Sequence, residues 1–160
     1  FILYQGGKRM RLKPNAKALR KGRYSEHGRI YLVTIVCAER ARIFEHYGCA
    51  RIVVRTMKTM EENARTLCFV VMPDHVHWLM QLEGVSTLSS NVQQLKSCVT
   101  KQIRKQSLFR GSVWRRGFHD RAVRKESDIR EVARYIVLNP LRAGLVEKLG
   151  DYPHWDAIWL

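Results

Sequence analysis

"MPDHVHWLM", residues 72–80, sets a Pro-Asp step between two apolar runs and places two histidines, two apart, in the second run. The run before it, "TLCFVVM" (66–72), reads as a strand, and "HVHWLMQL" (75–82) pairs back on it through a tight Pro73-Asp74 turn. Strand side chains alternate, so His75 and His77 share one face while Val76, Trp78, Met80 and Leu82 share the other. The second set is apolar and demands a covering layer of helix. The two imidazoles then project side by side from the uncovered face, a geometry that suits two ligands on one metal ion. The same spacing also fits two surface histidines on a half-buried strand. Taken alone it decides nothing.

Working outward, "IYLVTIVC" (30–37) is β-branched and apolar on both faces, as a central strand is. Ile52, Val53, Met57, Met60 and Ala64 recur at helical spacing and predict a helix over 49–64. A longer helix is expected over 87–106, with Leu88, Val92, Leu95, Val99 and Ile103 as its stripe, and a further strand over 118–123. Ser127 is placed to cap a last helix through Asn139, with Asp128 and Glu131 in its first turn, and Pro140 stops it. The order β-α-β-β-α-β-α predicts an α+β fold of the ferredoxin-like, split-βαβ type, an antiparallel sheet with helices packed on one face. One domain over 1–160 accounts for the length, with a basic arm at 1–23 and a tail at 150–160. The first methionine is Met10, so residues 1–9 read as a vector-derived remnant without functional weight.

The chain carries 29 Lys and Arg against 14 Asp and Glu, a formal charge of +15, which calls for a polyanionic partner. With no long apolar span and no lipidation signal, nucleic acid is favoured over a membrane surface. Between Lys96 and Lys125 there are ten basic residues and one acid, Asp120. Lys96, Lys101 and Arg104 fall on the long helix, and Arg115 and Arg116 follow Trp114; together they read as a phosphate track. Lys21 and Arg23 in the basic arm are expected to add to it. Cys37, Cys49, Cys68 and Cys98 show no CxxC spacing and sit among apolar residues, as reduced thiols of a cytosolic protein do.

In "DIREVARYIVLNP" the apolar stripe is Ile129, Val132, Ala133, Ile136 and Val137. Tyr135 and Asn139 lie off it, four apart and so one above the other. A boundary tyrosine usually has its hydroxyl in water. Here a carboxamide one turn away offers a third metal ligand beside a nucleophile.

"MPDHVHWLM" with "WRRGFHDRAVR" and "ARYIVLNPLRAGLV" resembles the REP-associated tyrosine transposases, a branch of the single-tyrosine HUH nucleases, over about Arg23 to Leu149. The basic stretch before Arg23 lies outside the match, and the tail "DYPHWDAIWL" lacks the serine-rich ending of many members. The resemblance implies nicking of single-stranded DNA beside a palindromic (REP) hairpin. Tyr135 would be the nucleophile that forms a 5′-phosphotyrosine and frees a 3′-hydroxyl. It also implies Mg²⁺ or Mn²⁺ on His75, His77 and Asn139, and a monomer, with a dimer as the alternative, in the prokaryotic cytoplasm, on the nucleoid. His119 lies close enough in the pattern to be a substrate contact or a spare ligand, with a structural role preferred. The competing expectation is a catalytically silent hairpin-binding protein, against which the four intact site residues speak. An RNA-binding sheet domain would want aromatics where these histidines stand, and a zinc hydrolase would want an HExxH helix.

Overall fold

A computed structural model describes residues 2–5, 8–11, 27–124 and 126–159. Near the start, β1 (Ile2–Gln5) and β2 (Lys8–Arg11) pair antiparallel as a separate two-stranded sheet, where no regular structure was expected. Then follow β3 (Ile30–Val36), α1 (Tyr47–Lys58), β4 (Ala64–Met72), β5 (His75–Leu82), α2 (Leu88–Lys105), β6 (His119–Val123), α3 (Glu126–Val137), the single-turn α4 (Asn139–Arg142) and β7 (Trp155–Ala157). The main sheet is five-stranded and antiparallel, in the order β6-β3-β5-β4-β7. It is the α+β fold that the sequence predicts. Lys21 and Arg23 lie outside the described residues.

The Pro73–Asp74 turn pairs Met72 with His75, and the register continues through Val70↔His77 to Ala64↔Leu82. Val76, Trp78, Met80 and Leu82 accordingly enter one core together with the stripes of α1 and α2. The other face of the sheet is apolar too, with Leu32, Cys68, Val70, Met72 and Leu79. Against it pack Val132, Ala133, Ile136 and Val137 of α3. Two helices thus cover one face, and the third lies on the face that carries the histidines, which the sequence pattern predicts to be open; apolar Leu32, Val70 and Leu79 on that face require the cover.

Three boundaries differ from the expected ones for identifiable reasons. α1 stops at Lys58, not 64, because the Thr59 hydroxyl bonds the Thr56 carbonyl (2.8 Å) and Met60 N–H bonds Met57 O (3.0 Å), tightening the last turn. Ala64 is then already in β4, although Met60 stays buried. α3 starts at Glu126, so Ser127 lies inside its first turn. The tail is not a loose end: β7 pairs Trp155–Ala157 with Val70–Cys68 and covers the free edge of β4. Burial lifts the Cys37 and Cys68 thiols to about 12 and raises Cys49, the behaviour expected of unreactive core cysteines; Cys98 is only half-buried. No helix among the described residues is long and apolar enough to cross a membrane.

Ala157 sits buried against Cys68 and in the same cluster as Ala133 and Val137 of α3. Ala157→Arg should therefore lower stability by about 2–4 kcal/mol in urea melts. A loss below about 0.5 kcal/mol, the usual range of surface substitutions, would show that the tail is not part of the core.

Candidate active site

β5 brings His75 and His77 to the α3 side of the sheet, where both are nearly enclosed, 7% and 3% exposed. Their Nε2 atoms face each other at 3.2 Å. Each Nδ1 has its own partner: Asp74 Oδ1 for His75 (2.6 Å) and Thr34 Oγ1 for His77 (2.9 Å). A carboxylate only accepts, so His75 donates from Nδ1 and turns a lone pair inward at Nε2. The Thr34 hydroxyl can accept as well as donate, so it serves His77 with the Nε2 lone pair exposed too. Two inward lone pairs at this separation suit one cation: at about 2.1 Å from each nitrogen they subtend roughly 100°. Rings whose far nitrogens are fixed by a carboxylate and a hydroxyl have the support that metal-binding histidines require.

The protonation states agree. Burial pushes His75 below the usual imidazole range, against the pull of Asp74. Burial, with His75 adding to it, takes His77 down to about 3. Both are neutral at pH 7, as ligands must be. Burial resists ionisation of Asp74, yet its hydrogen bonds to His75 and to Arg40 (3.0 Å) win, and its carboxyl lies below the ordinary value. Arg40 reaches Asp74 from a 3-10 turn in which Glu39 and Arg40 both adopt left-handed backbone, φ 52° and 58°. For residues with a Cβ this costs about 1–2 kcal/mol each, and such strain is typical next to functional groups. Thr34, Asp74 and Arg40 were not singled out from the sequence. The signals were a threonine inside an apolar strand and an aspartate directly before the first histidine.

From α3, Tyr135 sets its ring 6.4 Å from that of His77, centroid to centroid, within one chain. The Asn139 carboxamide donates from Nδ2 to the carbonyls of Tyr135 (2.8 Å) and Ile136 (3.1 Å). Pro140 has no N–H to offer Ile136 O, so Asn139 closes the helix in its place. Its Oδ1 is the atom a cation would take. His119 pairs with Thr34, which pairs with His77, so the three stand in one row on the same face. Exposed at the start of β6, His119 is not the structural residue preferred from sequence; burial and the nearby Arg115 lower its pKa.

Of the expected DNA contacts, Lys96, Lys101, Arg104 and Arg116 line one groove of about 840 Å³ between α2 and the 114–118 turn, floored by Trp114 and Phe118. The groove opens on the α2 side of the sheet, away from the histidines. Lys96 also has a structural task, since its Nζ donates to the carbonyls of Arg115 (2.8 Å) and Gly117 (3.1 Å). Arg115 stands apart from the groove, near His119.

The chain belongs to the family described as "Transposase IS200 like", whose profile matches residues 26–139. It is 28% identical over 138 residues to a protein of Haemophilus influenzae provisionally named a REP-associated tyrosine transposase, covering 79% of this chain and 78% of that one. A REP-associated tyrosine transposase of Escherichia coli K12 is 30% identical over 105 residues, 65% of this chain and 58% of the relative. Among solved structures, a REP-associated tyrosine transposase bound to a REP hairpin superposes with a TM-score of 0.68 at 25% identity, over 83% of this chain and 79% of that one. The resemblance expected from the sequence is thereby found.

The lowered histidine values set a pH dependence. Above about 6.5 folded and unfolded chains are both neutral at these rings; as the pH falls, the unfolded chain takes protons that buried His75 and His77 refuse, with His119 and His154 shifted the same way. Metal-free protein should lose melting temperature steadily from pH 6.5 toward 4, and His77→Gln should flatten that decline. A melting temperature constant over this range would contradict the neutral pair.

Proposed function

We propose that this protein is a metal-dependent, site-specific endonuclease and strand transferase of single-stranded DNA, acting at REP-type palindromic hairpins with Tyr135 as nucleophile. The observation that carries it is the meeting of the Tyr135 ring with the His75–His77 pair, whose lone pairs converge. Tyr135 Oη attacks the scissile phosphorus. The Oη–P bond forms, the bond from phosphorus to the 3′-oxygen breaks, and the phenolic proton ends on the departing 3′-oxygen through solvent. The products are a 5′-phosphotyrosine and a 3′-hydroxyl. One phosphodiester is exchanged for another, so an incoming 3′-hydroxyl reverses the step without an energy source.

A tyrosine hydroxyl is a weak nucleophile at neutral pH, which leaves most of the catalysis to placement and electrostatics. His75, His77 and the Asn139 carboxamide oxygen would hold Mg²⁺ or Mn²⁺, which supplies a Lewis acid to the phosphate oxygens. Asp74 and Thr34 keep the two rings turned inward, and Arg40 keeps Asp74 ionised and in place. Packing of α3 on the sheet narrows access of water to the site. Action as a monomer, in the cytoplasm on the nucleoid, belongs to the same reading, and the meeting of tyrosine and histidine within one chain supports the monomer. The hairpin held by the structural neighbour indicates the substrate class. The groove of Lys96, Lys101, Arg104 and Arg116 offers phosphate contacts on an apolar floor, which suits DNA with unpaired bases. Arg115 extends that charge toward His119, and Lys21 and Arg23 remain proposed DNA contacts.

The deciding experiment incubates labelled single-stranded REP-type hairpins with protein and Mn²⁺ or Mg²⁺, followed by a denaturing gel. A covalent adduct is expected from the native chain and none from Tyr135→Phe, with hairpin affinity unchanged; a phenylalanine variant that still nicks would remove Tyr135 from the mechanism. EDTA should abolish nicking and added metal restore it. Asn139→Ala should raise the metal requirement about ten-fold, whereas Asn139→Asp should keep metal-dependent nicking with an altered Mg²⁺ to Mn²⁺ preference. An unchanged metal titration in the alanine variant would leave Asn139 with its helix-closing role alone. Affinity should fall with salt along a log–log slope of about −4 to −7, for roughly 5–8 phosphate contacts. A slope shallower than about −2 would detach the positive surface from DNA binding.

A further inference from the structure

In "YIVLNPLRAG" the proposed reaction uses Tyr135 and Asn139 and leaves Arg142 without a task. Seven residues along an unbroken helix put Arg142 about 10 Å up the axis from Tyr135. Instead the chain breaks after Val137, where the Asn139 side chain closes α3, and restarts as the one-turn α4. Gly144, at φ +65°, ends that turn, with its N–H on Leu141 O (3.0 Å) and the Leu145 N–H on Pro140 O (2.9 Å). The outcome is a guanidinium laid on the face of the Tyr135 ring, its central carbon 4.6 Å from the centroid. Arg142 is itself exposed, and no salt bridge to a carboxylate occupies it among the described residues.

We propose that Arg142 is a positioning and phosphate-binding residue of the same site: it holds the Tyr135 ring in the direction of attack and pairs with the phosphate that becomes joined to it. This rests on the reading of Tyr135 as nucleophile. A cation on an exposed ring is worth only about 0.5–1 kcal/mol, little for folding but enough to favour one ring orientation about two- to five-fold. A planar guanidinium stacked through its face still has its N–H edge free to meet phosphate oxygens. With the Oη–P bond turned toward Arg142, the phosphorus comes to about 5 Å from the guanidinium carbon, within reach of N–H···O bonds of about 2.8 Å. The charge therefore acts before attack on the ring and after attack on the diester.

The test is single-turnover adduct formation by the full chain at saturating hairpin DNA and Mn²⁺, with hairpin affinity and melting curves measured alongside. For Arg142→Ala the rate should fall about 10- to 100-fold, the two- to five-fold loss of ring orientation being compounded by loss of the guanidinium from the phosphate during attack. Affinity should change less than about three-fold, since one phosphate contact among several is lost. Arg142→Lys keeps the charge without the planar fork and should fall between. Rejoining by an added 3′-hydroxyl strand should slow by the same factor as nicking. Wild-type rates in the alanine variant, a loss confined to DNA affinity or to stability, or a lysine variant no better than alanine would each overturn the proposal while the native chain still forms adduct. A native chain that forms no adduct overturns it together with the nuclease reading.

Discussion

The two-residue turn at Pro73–Asp74 fixes the register of β4 against β5, and the rest of the site hangs on that register. A slip of one residue would carry His75 and His77 under α1 and α2 and turn Val76 and Trp78 toward α3. The turn does a second thing at the same residues. Asp74 is both its last member and the acceptor for His75 Nδ1, so the element that sets which face the ring is on also sets which ring nitrogen looks inward. Register on the far side comes from β3, where Thr34 stands opposite His77 and holds it by a hydrogen bond. The pair is thereby pinned from a turn on one side and a neighbouring strand on the other.

Placing two neutral imidazoles in a nearly closed space is costly unless their polar atoms are answered. Four ring nitrogens are present; two are answered by Asp74 and Thr34, and the remaining two face each other. Burial works against a proton on His77, which agrees with the cation proposed for the pair.

Much of this was legible in the sequence because it rests on strict periodicities. Alternation through "HVHWLMQL" separated the histidines from Trp78 and Met80, and four-residue spacing put Asn139 over Tyr135. The resemblance to REP-associated tyrosine transposases rested on those same residues. The place of α3 was less so, although the signal existed. Both "IYLVTIVC" and "TLCFVVM" are apolar at consecutive positions, the pattern of strands covered on two faces, and the amphipathic helix with Ile136 and Val137 was the element free to cover the second. β7 was missed because three residues in a tail have too short a pattern to show a period. Contacts such as Arg40 with Asp74 and Arg142 with Tyr135 depend on a left-handed turn and on a helix break. Neither leaves a periodic trace in a single chain.

Strand order has a consequence for how copies of this protein meet. Among the described residues, with β7 laid along β4, the five-stranded sheet has β6 as its longer outer strand. That strand begins His119-Asp120-Arg121, alternating in charge and close to Arg115 and Arg116, a composition that discourages strands of like sequence from adding on. Growth of this sheet from chain to chain is thus disfavoured at one end by the shortness of β7 and at the other by charge.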